Sequence, residues 1–176
     1  GPGIVFDNTH FSPPVSFTLT TADYDIAVAD FNNDGKPDVL AEGQTSRAYS
    51  FLNTHTGGSI TTSSLTANDT TVNSTQNPVL IDFDEDGLLD IMSTSGAYRN
   101  ISSIGKIDFA PLTNFGSGSN HSFGDFNRDG KTDVLGANGT SISIAENRSI
   151  QPGPFLMGSY PTLSPIFNYS KPATGG

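Results

Sequence analysis

Three nine-residue segments of the chain concentrate side chains that could bind a cation. They span residues 30–38, 82–90 and 125–133, align without gaps, and share the pattern D-F-[ND]-x-D-G-x-x-D. Acid or amide side chains stand at positions 1, 3, 5 and 9 of every copy, and ten of the chain's 18 acidic residues occupy these positions. Carboxylates gathered so closely repel one another unless a cation neutralises them. The repeat therefore indicates metal chemistry.

The order of oxygen atoms along each segment fits calcium, which takes six to eight hard oxygen ligands at about 2.3 to 2.6 Å. Side chains at positions 1, 3 and 5 point inward, glycine at position 6 permits the turn, position 7 offers its backbone carbonyl, and position 9 adds a carboxylate. We therefore expect three calcium ions. The predicted ligands are Asp30, Asn32, Asp34, Lys36 and Asp38 in the first segment; Asp82, Asp84, Asp86, Leu88 and Asp90 in the second; and Asp125, Asn127, Asp129, Lys131 and Asp133 in the third.

The main alternative is that these segments are ordinary hairpin turns, because Asp-Gly sequences between strands often form them. One copy would fit that interpretation, but three gapless copies favour a metal site. A helix–loop–helix calcium site is excluded, since it needs glutamate at position 12, where this chain has Ala41, Ser93 and Gly136. The glycine-rich nonapeptide repeat of calcium-binding β-helices is missing from the sequence as well.

Short apolar runs flank each acidic segment, so each segment is predicted to join two β-strands. The segments begin at residues 30, 82 and 125, which places them 52 and then 43 residues apart. A four-stranded propeller blade repeats about every 40 to 50 residues. The spacing therefore predicts an all-β chain of propeller blades with one acidic segment in each blade.

Four strands are predicted for each blade. They are 26–29, 39–41, 48–52 and 59–65; then 79–82, 91–94, 97–100 and 107–112; then 122–124, 134–137, 141–145 and 155–159. Segments 4–6 and 15–19 are predicted as outer strands of an earlier blade, which gives about three and a half blades. Propellers close with typically about 4 to 8 blades. Either the chain is part of a longer propeller, or copies of it associate to complete one.

This pattern closely resembles the FG-GAP or VCBS repeats of integrin α-chain propellers and of many bacterial surface proteins. The resemblance covers residues 4–160, and its clearest signatures are Ala29-Asp-Phe-Asn-Asn-Asp-Gly-Lys-Pro-Asp-Val-Leu40 and Gly124-Asp-Phe-Asn-Arg-Asp-Gly-Lys-Thr-Asp-Val-Leu135. The second copy departs at Glu85, Leu88 and Leu89, which leaves its ligand positions intact. The resemblance implies blades whose calcium ions play a structural part. Residues 1–3 resemble the scar of a removed expression tag, and 161–176 are expected to form a linker or the start of a following domain.

The charge of the chain argues against several classes of partner. With a formal net charge of −10 and a pI near 4.3, it repels phosphate backbones and anionic lipids, so nucleic acid and membrane surfaces are poor partners. No run approaches the roughly 18 apolar residues that span a bilayer. Cysteine is absent, which excludes disulfides and thiolate metal sites.

The sequence contains no recognisable catalytic constellation, and we expect no enzyme activity. His10, His55 and His121 lie far apart without the spacing of zinc ligands. Glutamate is scarce, so a pair of catalytic carboxylates would have to use aspartates of the acidic segments. Neither a nucleophile elbow nor a phosphate-binding glycine loop occurs.

These observations predict a calcium-clamped, non-catalytic extracellular module that serves adhesion or structural display within a larger secreted or surface protein. Extracellular calcium modules commonly bind at roughly 10⁻⁴ to 10⁻³ M, a concentration met outside cells and not in cytosol. The alternative is a calcium-dependent carbohydrate-binding lectin, in which tyrosines stack on sugar rings. The candidates for that role are Tyr24, Tyr49, Tyr98 and Tyr160. The partner would then be a protein or a glycan on a cell surface.

Overall fold

The computed structural model describes residues 7–19, 23–43, 48–69, 72–73, 78–93, 96–114, 120–138 and 141–148. These residues form eleven β-strands in three antiparallel sheets, together with one 3₁₀ turn at Asn8–His10. Within the same ranges, no helix has the length and apolar character needed to cross a membrane. The prediction of an all-β chain is confirmed.

Each sheet is a meander, in which every strand pairs with the next strand along the chain. The first sheet contains β1 (Asp23–Ala29), β2 (Asp38–Gly43), β3 (Ala48–Asn53) and β4 (Leu65–Asp69). The second contains β5 (Val79–Ile81), β6 (Asp90–Met92), β7 (Gly96–Tyr98) and β8 (Thr113–Asn114). The third contains β9 (Asn120–Gly124), β10 (Asp133–Asn138) and β11 (Ser141–Ala145). No closed ring of sheets is seen among the described residues.

Each acidic segment joins the first two strands of its sheet, as the flanking apolar runs predict. We call these segments the first, second and third acidic loops (residues 30–38, 82–90 and 125–133). In all three, the residue before position 1 pairs with the aspartate at position 9. These pairs are Ala29 with Asp38, Ile81 with Asp90, and Gly124 with Asp133. The three loops are therefore closed in the same register.

The fourth strands predicted for the first two sheets, at 59–65 and 107–112, are wrong. Residues up to Ser64 form a turn, in which the Ser64 hydroxyl accepts the Thr61 N–H at 2.9 Å, and β4 begins only at Leu65. Residues 107–112 form an irregular segment that buries Ile107 and Phe109, and β8 follows it. The first of these differences arises because local side-chain hydrogen bonds compete with strand pairing.

Other predicted segments also differ or fall outside the description. Residues 15–19 are described and form no strand, so the expected outer strand there is wrong. The predicted strands at 4–6 and 155–159 lie outside the described residues, as do residues 1–3 and the tail 161–176.

The hydrophobic core lies between neighbouring sheets. Between the first and second sheets it contains Phe31, Leu40, Ala48, Val72, Ile91, Tyr98, Ile107 and Phe109. Between the second and third it contains Phe83, Met92, Ala97 and Val134. Phe31 packs edge-on against Phe109, with ring centroids 5.8 Å apart. The phenylalanine at position 2 thereby anchors the first acidic loop, and burying a side chain of this size contributes about 1.5 to 3 kcal/mol.

A polar link repeats across both sheet interfaces. Asn100, which follows β7, donates from Nδ2 to the Phe31 carbonyl at 2.8 Å, and Asn147, after β11, donates to the Phe83 carbonyl at 3.3 Å. The backbone N–H of each asparagine also donates to the position-9 aspartate of its own sheet. Each asparagine therefore ties the acidic loop of its own sheet to that of the preceding sheet.

Candidate metal centres

The aspartate at position 1 organises each acidic loop. Its two oxygens accept hydrogen bonds from the N–H groups of positions 5 and 6. The N···O distances are 3.1 and 2.8 Å at Asp30, 3.0 and 3.0 Å at Asp82, and 3.1 and 3.0 Å at Asp125. The backbone of each loop therefore folds around this carboxylate, in the same way three times.

In each loop, two residues with a left-handed backbone conformation allow the chain to fold around this carboxylate. Position 4 has φ of 55° at Asn33, 56° at Glu85 and 65° at Arg128, and the glycine at position 6 has φ of 84°, 87° and 89° in the three loops. A Cβ built on Gly35 or Gly130 would meet no atom within 4 Å. Glycine is therefore needed there for its backbone conformation and not for lack of space.

The carboxylate at position 5 turns back onto its own loop. One of its oxygens accepts the N–H of position 7 at 2.9 Å in every loop. In the first and third loops the amide oxygen at position 3 also accepts the N–H of position 5, at 3.1 Å for Asn32 and 2.9 Å for Asn127. In these two loops, the predicted side-chain ligands at positions 1, 3 and 5 thus belong to one hydrogen-bonded network. Position 7 is Lys36, Leu88 or Lys131, each predicted to contribute its carbonyl.

The aspartate at position 9 is buried and already well bound. Asp38, Asp90 and Asp133 are at most 1% exposed. One oxygen of each accepts the N–H of the position-2 phenylalanine. The other accepts the N–H of an asparagine at or just after the end of the third strand of the sheet. This carboxylate therefore closes the hairpin, whether or not its remaining lone pairs reach an ion.

In two of these aspartates, Asp38 and Asp90, burial disfavours the ionised form of the carboxylate. It raises the pKa of Asp90 to about 7 and also raises the pKa of Asp38, against the opposing effect of the two backbone hydrogen bonds that each accepts. Neighbouring carboxylates of the same loop raise both pKa values further. A nearby cation would favour the charged forms.

The second acidic loop brings three carboxylates together. Asp82, Asp84 and Asp86 each place one oxygen within 4.8 Å of the other two. Asp84 is only 2% exposed, and its Oδ1 has no hydrogen-bond partner. An unsatisfied buried carboxylate oxygen is costly, and a hard cation is a natural partner for it. In the first loop, the Nδ2 of the equivalent Asn32 is likewise buried without a partner.

Arg99 contacts the second acidic loop, and sequence analysis did not identify it. Its Nε donates to Asp84, and its Nη2 lies 2.7 Å from Asp86 Oδ2. Burial raises the pKa of Asp84, the hydrogen bond from Arg99 lowers it, and the charge of Asp86 raises it again. The guanidinium thus neutralises part of the charge in the second loop, and it competes for oxygens that an ion would use. The sequence feature that could have identified Arg99 is its position immediately before Asn100.

The third acidic loop is the most open of the three. Position 3, buried in the other two loops, is exposed here as Asn127. Its Nδ2 donates to Asp129 Oδ2 and to Glu146 Oε1, both at 3.1 Å. Glu146 stands immediately before Asn147, as Arg99 does before Asn100. Glu146 therefore adds a carboxylate beside the third loop, and sequence analysis missed it too.

Of the four tyrosines considered for sugar binding, Tyr98 is not accessible to a ligand. Tyr98 is buried, and its hydroxyl accepts the Asn73 N–H at 3.2 Å, so it offers no face to a sugar ring. The Tyr24 side chain and Tyr160 lie outside the described residues. Among the residues that are described, the histidines join no metal-ligating cluster.

Comparisons with protein-family models, with curated protein sequences and with solved structures found no match to this chain.

Proposed function

We propose that this chain is a calcium-binding, non-catalytic module in which each acidic loop holds one ion. The observation that carries the proposal is the second loop, where three carboxylates converge and the buried Asp84 has an oxygen without a partner. The first and third loops repeat its backbone hydrogen bonds at position 1. Oxygen atoms in this arrangement suit a hard divalent cation better than a softer transition metal.

The residues that would hold each ion are the predicted ones, at positions 1, 3, 5, 7 and 9. When bound, calcium supplies positive charge and a common partner for oxygens that otherwise repel one another. The chain itself supplies the rest, because the position-1 carboxylate and the left-handed residues already hold the loop closed. The ordering entropy that binding must overcome is therefore small.

The proposed role of the ions is structural. The carbonyls of Phe31 and Phe83, within the first and second loops, accept the hydrogen bonds that link neighbouring sheets. In addition, Asn33 of the first loop donates to the Gly87 carbonyl of the second at 3.0 Å. An ordered loop keeps these groups in place, so calcium should stiffen the interfaces as well as the loops.

The larger assignment rests on the same repeat. We propose that the three sheets are blades of a propeller of the FG-GAP or VCBS kind, and that the module works outside the cell in adhesion or structural display. Support comes from the meander of each sheet, the loop between its first two strands, and the core between successive sheets. Calcium affinities typical of extracellular modules, at roughly 10⁻⁴ to 10⁻³ M, would suit that compartment.

Calorimetric titration with calcium chloride tests the proposal. We expect about three ions per chain and a melting temperature raised by about 5 to 10 °C per site at a hundredfold excess over Kd. Asp86→Ala should remove one ion. Asp108→Ala is the matched control, because Asp108 belongs to the second sheet's outer segment and pairs with Lys106 outside every acidic loop. Melting curves that are the same with calcium and with chelator would refute the proposal.

A further inference from the structure

The two asparagines that link neighbouring sheets also stand in acceptor sequences for N-glycosylation. Asn100-Ile101-Ser102 and Asn147-Arg148-Ser149 both match the pattern Asn-X-Ser/Thr without proline at X. Such a sequence ordinarily lies in a surface loop, where a glycan extends into water. Asn100, however, is 0% exposed, and Asn147 is 2% exposed. The fold therefore buries both of these acceptors.

Both polar atoms of the Asn100 side chain make hydrogen bonds within the fold. Its Nδ2 donates to the Phe31 carbonyl at 2.8 Å and to the Leu89 carbonyl at 3.0 Å, and its Oδ1 accepts the Ser102 N–H at 2.9 Å. A glycosidic bond removes one of the two Nδ2 hydrogens, so at least one of these carbonyls would lose its donor. A buried polar group left without its partner shifts the unfolding equilibrium by about 5- to 150-fold.

Asn147 holds the equivalent place between the second and third sheets. Its Nδ2 donates to the Phe83 carbonyl at 3.3 Å, and its backbone N–H donates to Asp133 at 2.8 Å. Phe83 itself belongs to the core between these sheets. Because protein interiors are close-packed, a sugar has no room beside either asparagine unless the sheets separate.

We propose that N-glycosylation of Asn100 or of Asn147 prevents neighbouring sheets from joining. The modification has to precede folding, since both Nδ2 atoms are buried afterwards. In that step an oligosaccharyltransferase joins Nδ2 to the sugar C1 of a lipid-linked oligosaccharide diphosphate. The C1–phosphate bond breaks, the lipid diphosphate leaves, and Nδ2 loses one proton. The module therefore folds only where its export does not expose the unfolded chain to this enzyme.

Asn73 provides an internal control, because Asn73-Ser74-Thr75 is an acceptor sequence whose asparagine is exposed. The backbone N–H of Asn73 donates to the Tyr98 hydroxyl at 3.2 Å, and a glycan on the side chain leaves that N–H in place. The fold should therefore tolerate a glycan at this position. All three acceptors belong to one chain, so they meet the enzyme under the same conditions. The inference depends on the sheet interfaces and not on the proposed metal binding.

Export of the full chain from cultured animal cells, behind an added signal peptide, tests the proposal. The oligosaccharyltransferase is partly inhibited, so that each acceptor is modified in only some chains. Mass spectrometry then measures glycan occupancy at each asparagine in the secreted, folded chain and in the chain retained inside the cells. We expect occupancy of Asn100 and Asn147 to be at least about fivefold lower in the secreted chain. Occupancy of Asn73 should be equal in the two fractions.

A matched pair of variants separates the buried acceptor from the exposed one. Ser149→Ala removes the acceptor sequence of Asn147 but keeps the asparagine, so it should increase the secreted fraction. Thr75→Ala makes the matching change at Asn73 and should leave that fraction unchanged. Circular dichroism of both variants, made in bacteria that lack the enzyme, first confirms that they fold. If Ser149→Ala does not fold, the occupancies of wild type decide alone.

Three results would overturn the proposal. The first is a folded, secreted chain that carries a glycan on Asn100 or Asn147. The second is equal occupancy of these two asparagines in the secreted and retained fractions. The third is their complete lack of glycan in both fractions while Asn73 is modified, because the enzyme would then not use them as acceptors. Comparison of the fractions site by site keeps each result independent of glycans at other acceptors.

Discussion

One position in each sheet sets the charge that faces its acidic loop. It is the residue just before the linking asparagine, and it is Leu52 in the first sheet, Arg99 in the second and Glu146 in the third. Arg99 engages two carboxylates of the second loop, and Glu146 accepts from Asn127 of the third. Because the guanidinium occupies oxygens that calcium needs, we expect the second loop to have the weakest calcium affinity of the three.

Replacing Arg99 with the leucine of the first sheet should reverse that order. We predict that Arg99→Leu tightens calcium binding at the second loop about tenfold or more. The reason is that a like charge about 4 Å from a bound cation costs about 1 to 4 kcal/mol per unit charge. Without calcium the same variant should be less stable, since the buried Asp84 loses its ion pair. Titration calorimetry and melting curves measure the two effects.

Arg148→Leu is the matched control for Arg99→Leu. Arg148 is an exposed arginine whose Nη2 lies 2.7 Å from Glu146, outside the second loop. Its loss should leave the calcium affinity of that loop unchanged. If Arg99→Leu weakened calcium binding, or left it equal to that of the control, the guanidinium would not be a competitor.

The buried Asp90 predicts a pH dependence in the calcium-free chain. Its pKa is about 7 when folded, against an ordinary value of 3.8. Between these values the folded chain holds a proton that the unfolded chain has released, so the contribution of Asp90 to stability falls as pH rises through this window. In Asp90→Asn the side chain cannot ionise, so the stability of this variant does not fall with pH for this reason.

The unfolding free energy of Asp90→Asn, relative to wild type, should therefore increase from about pH 5 to pH 8, by at most about 1.4 kcal/mol per pH unit. Denaturant titrations at several pH values, on protein freed of calcium, measure this difference. A difference that stayed constant with pH would show that Asp90 is not the group that titrates.

At the scale of the elements, Gly96 controls the pairing of β7 with β8. Its φ is 152°, and a Cβ there would lie 2.0 Å from the Thr113 carbonyl oxygen. We predict that Gly96→Ala destabilises the fold by about 1 to 3 kcal/mol, since backbone atoms must move apart. Gly105→Ala is the control, because a Cβ there meets nothing within 4 Å and only φ is strained. Equal losses from both variants, measured by denaturant unfolding, would contradict this account.

The elements that sequence predicted well are those fixed by local chemistry. The acidic loops and the strands beside them follow from the glycine turn and the apolar runs, and β1, β2, β3, β5, β6, β7, β9, β10 and β11 all overlap their predicted positions. The outer strands β4 and β8 were misplaced. In those segments apolar and polar residues alternate only weakly along the sequence. The burial of Ile107 and Phe109 depends on side chains of another sheet.

For the acidic loops, too, the sequence predicted the local features but not the contacts made by distant residues. Positions within one loop could be inferred from nine residues, whereas Arg99 and Glu146 reach their loops from 13 to 19 residues away. The asparagine link spans 69 residues between Asn100 and Phe31. Contacts of that range depend on how sheets stack, which a single sequence does not encode in any local pattern.

Considered as a whole, the molecule is an acidic chain whose charge is gathered at three points. Its formal net charge is −10, and three calcium ions would reduce it to about −4. Those points lie where successive sheets meet, so the proposed ions, the inter-sheet hydrogen bonds and the hydrophobic core would stabilise the same interfaces.

Whether the acidic loops bind calcium is decided by diffraction from a crystal grown in millimolar calcium. We expect strong density in each acidic loop, at about 2.3 to 2.6 Å from oxygens of positions 1, 3 and 5, with the Arg99 guanidinium displaced from Asp84 and Asp86 in the second loop. Loops that contain only water, with Arg99 still paired to both carboxylates, would contradict this expectation.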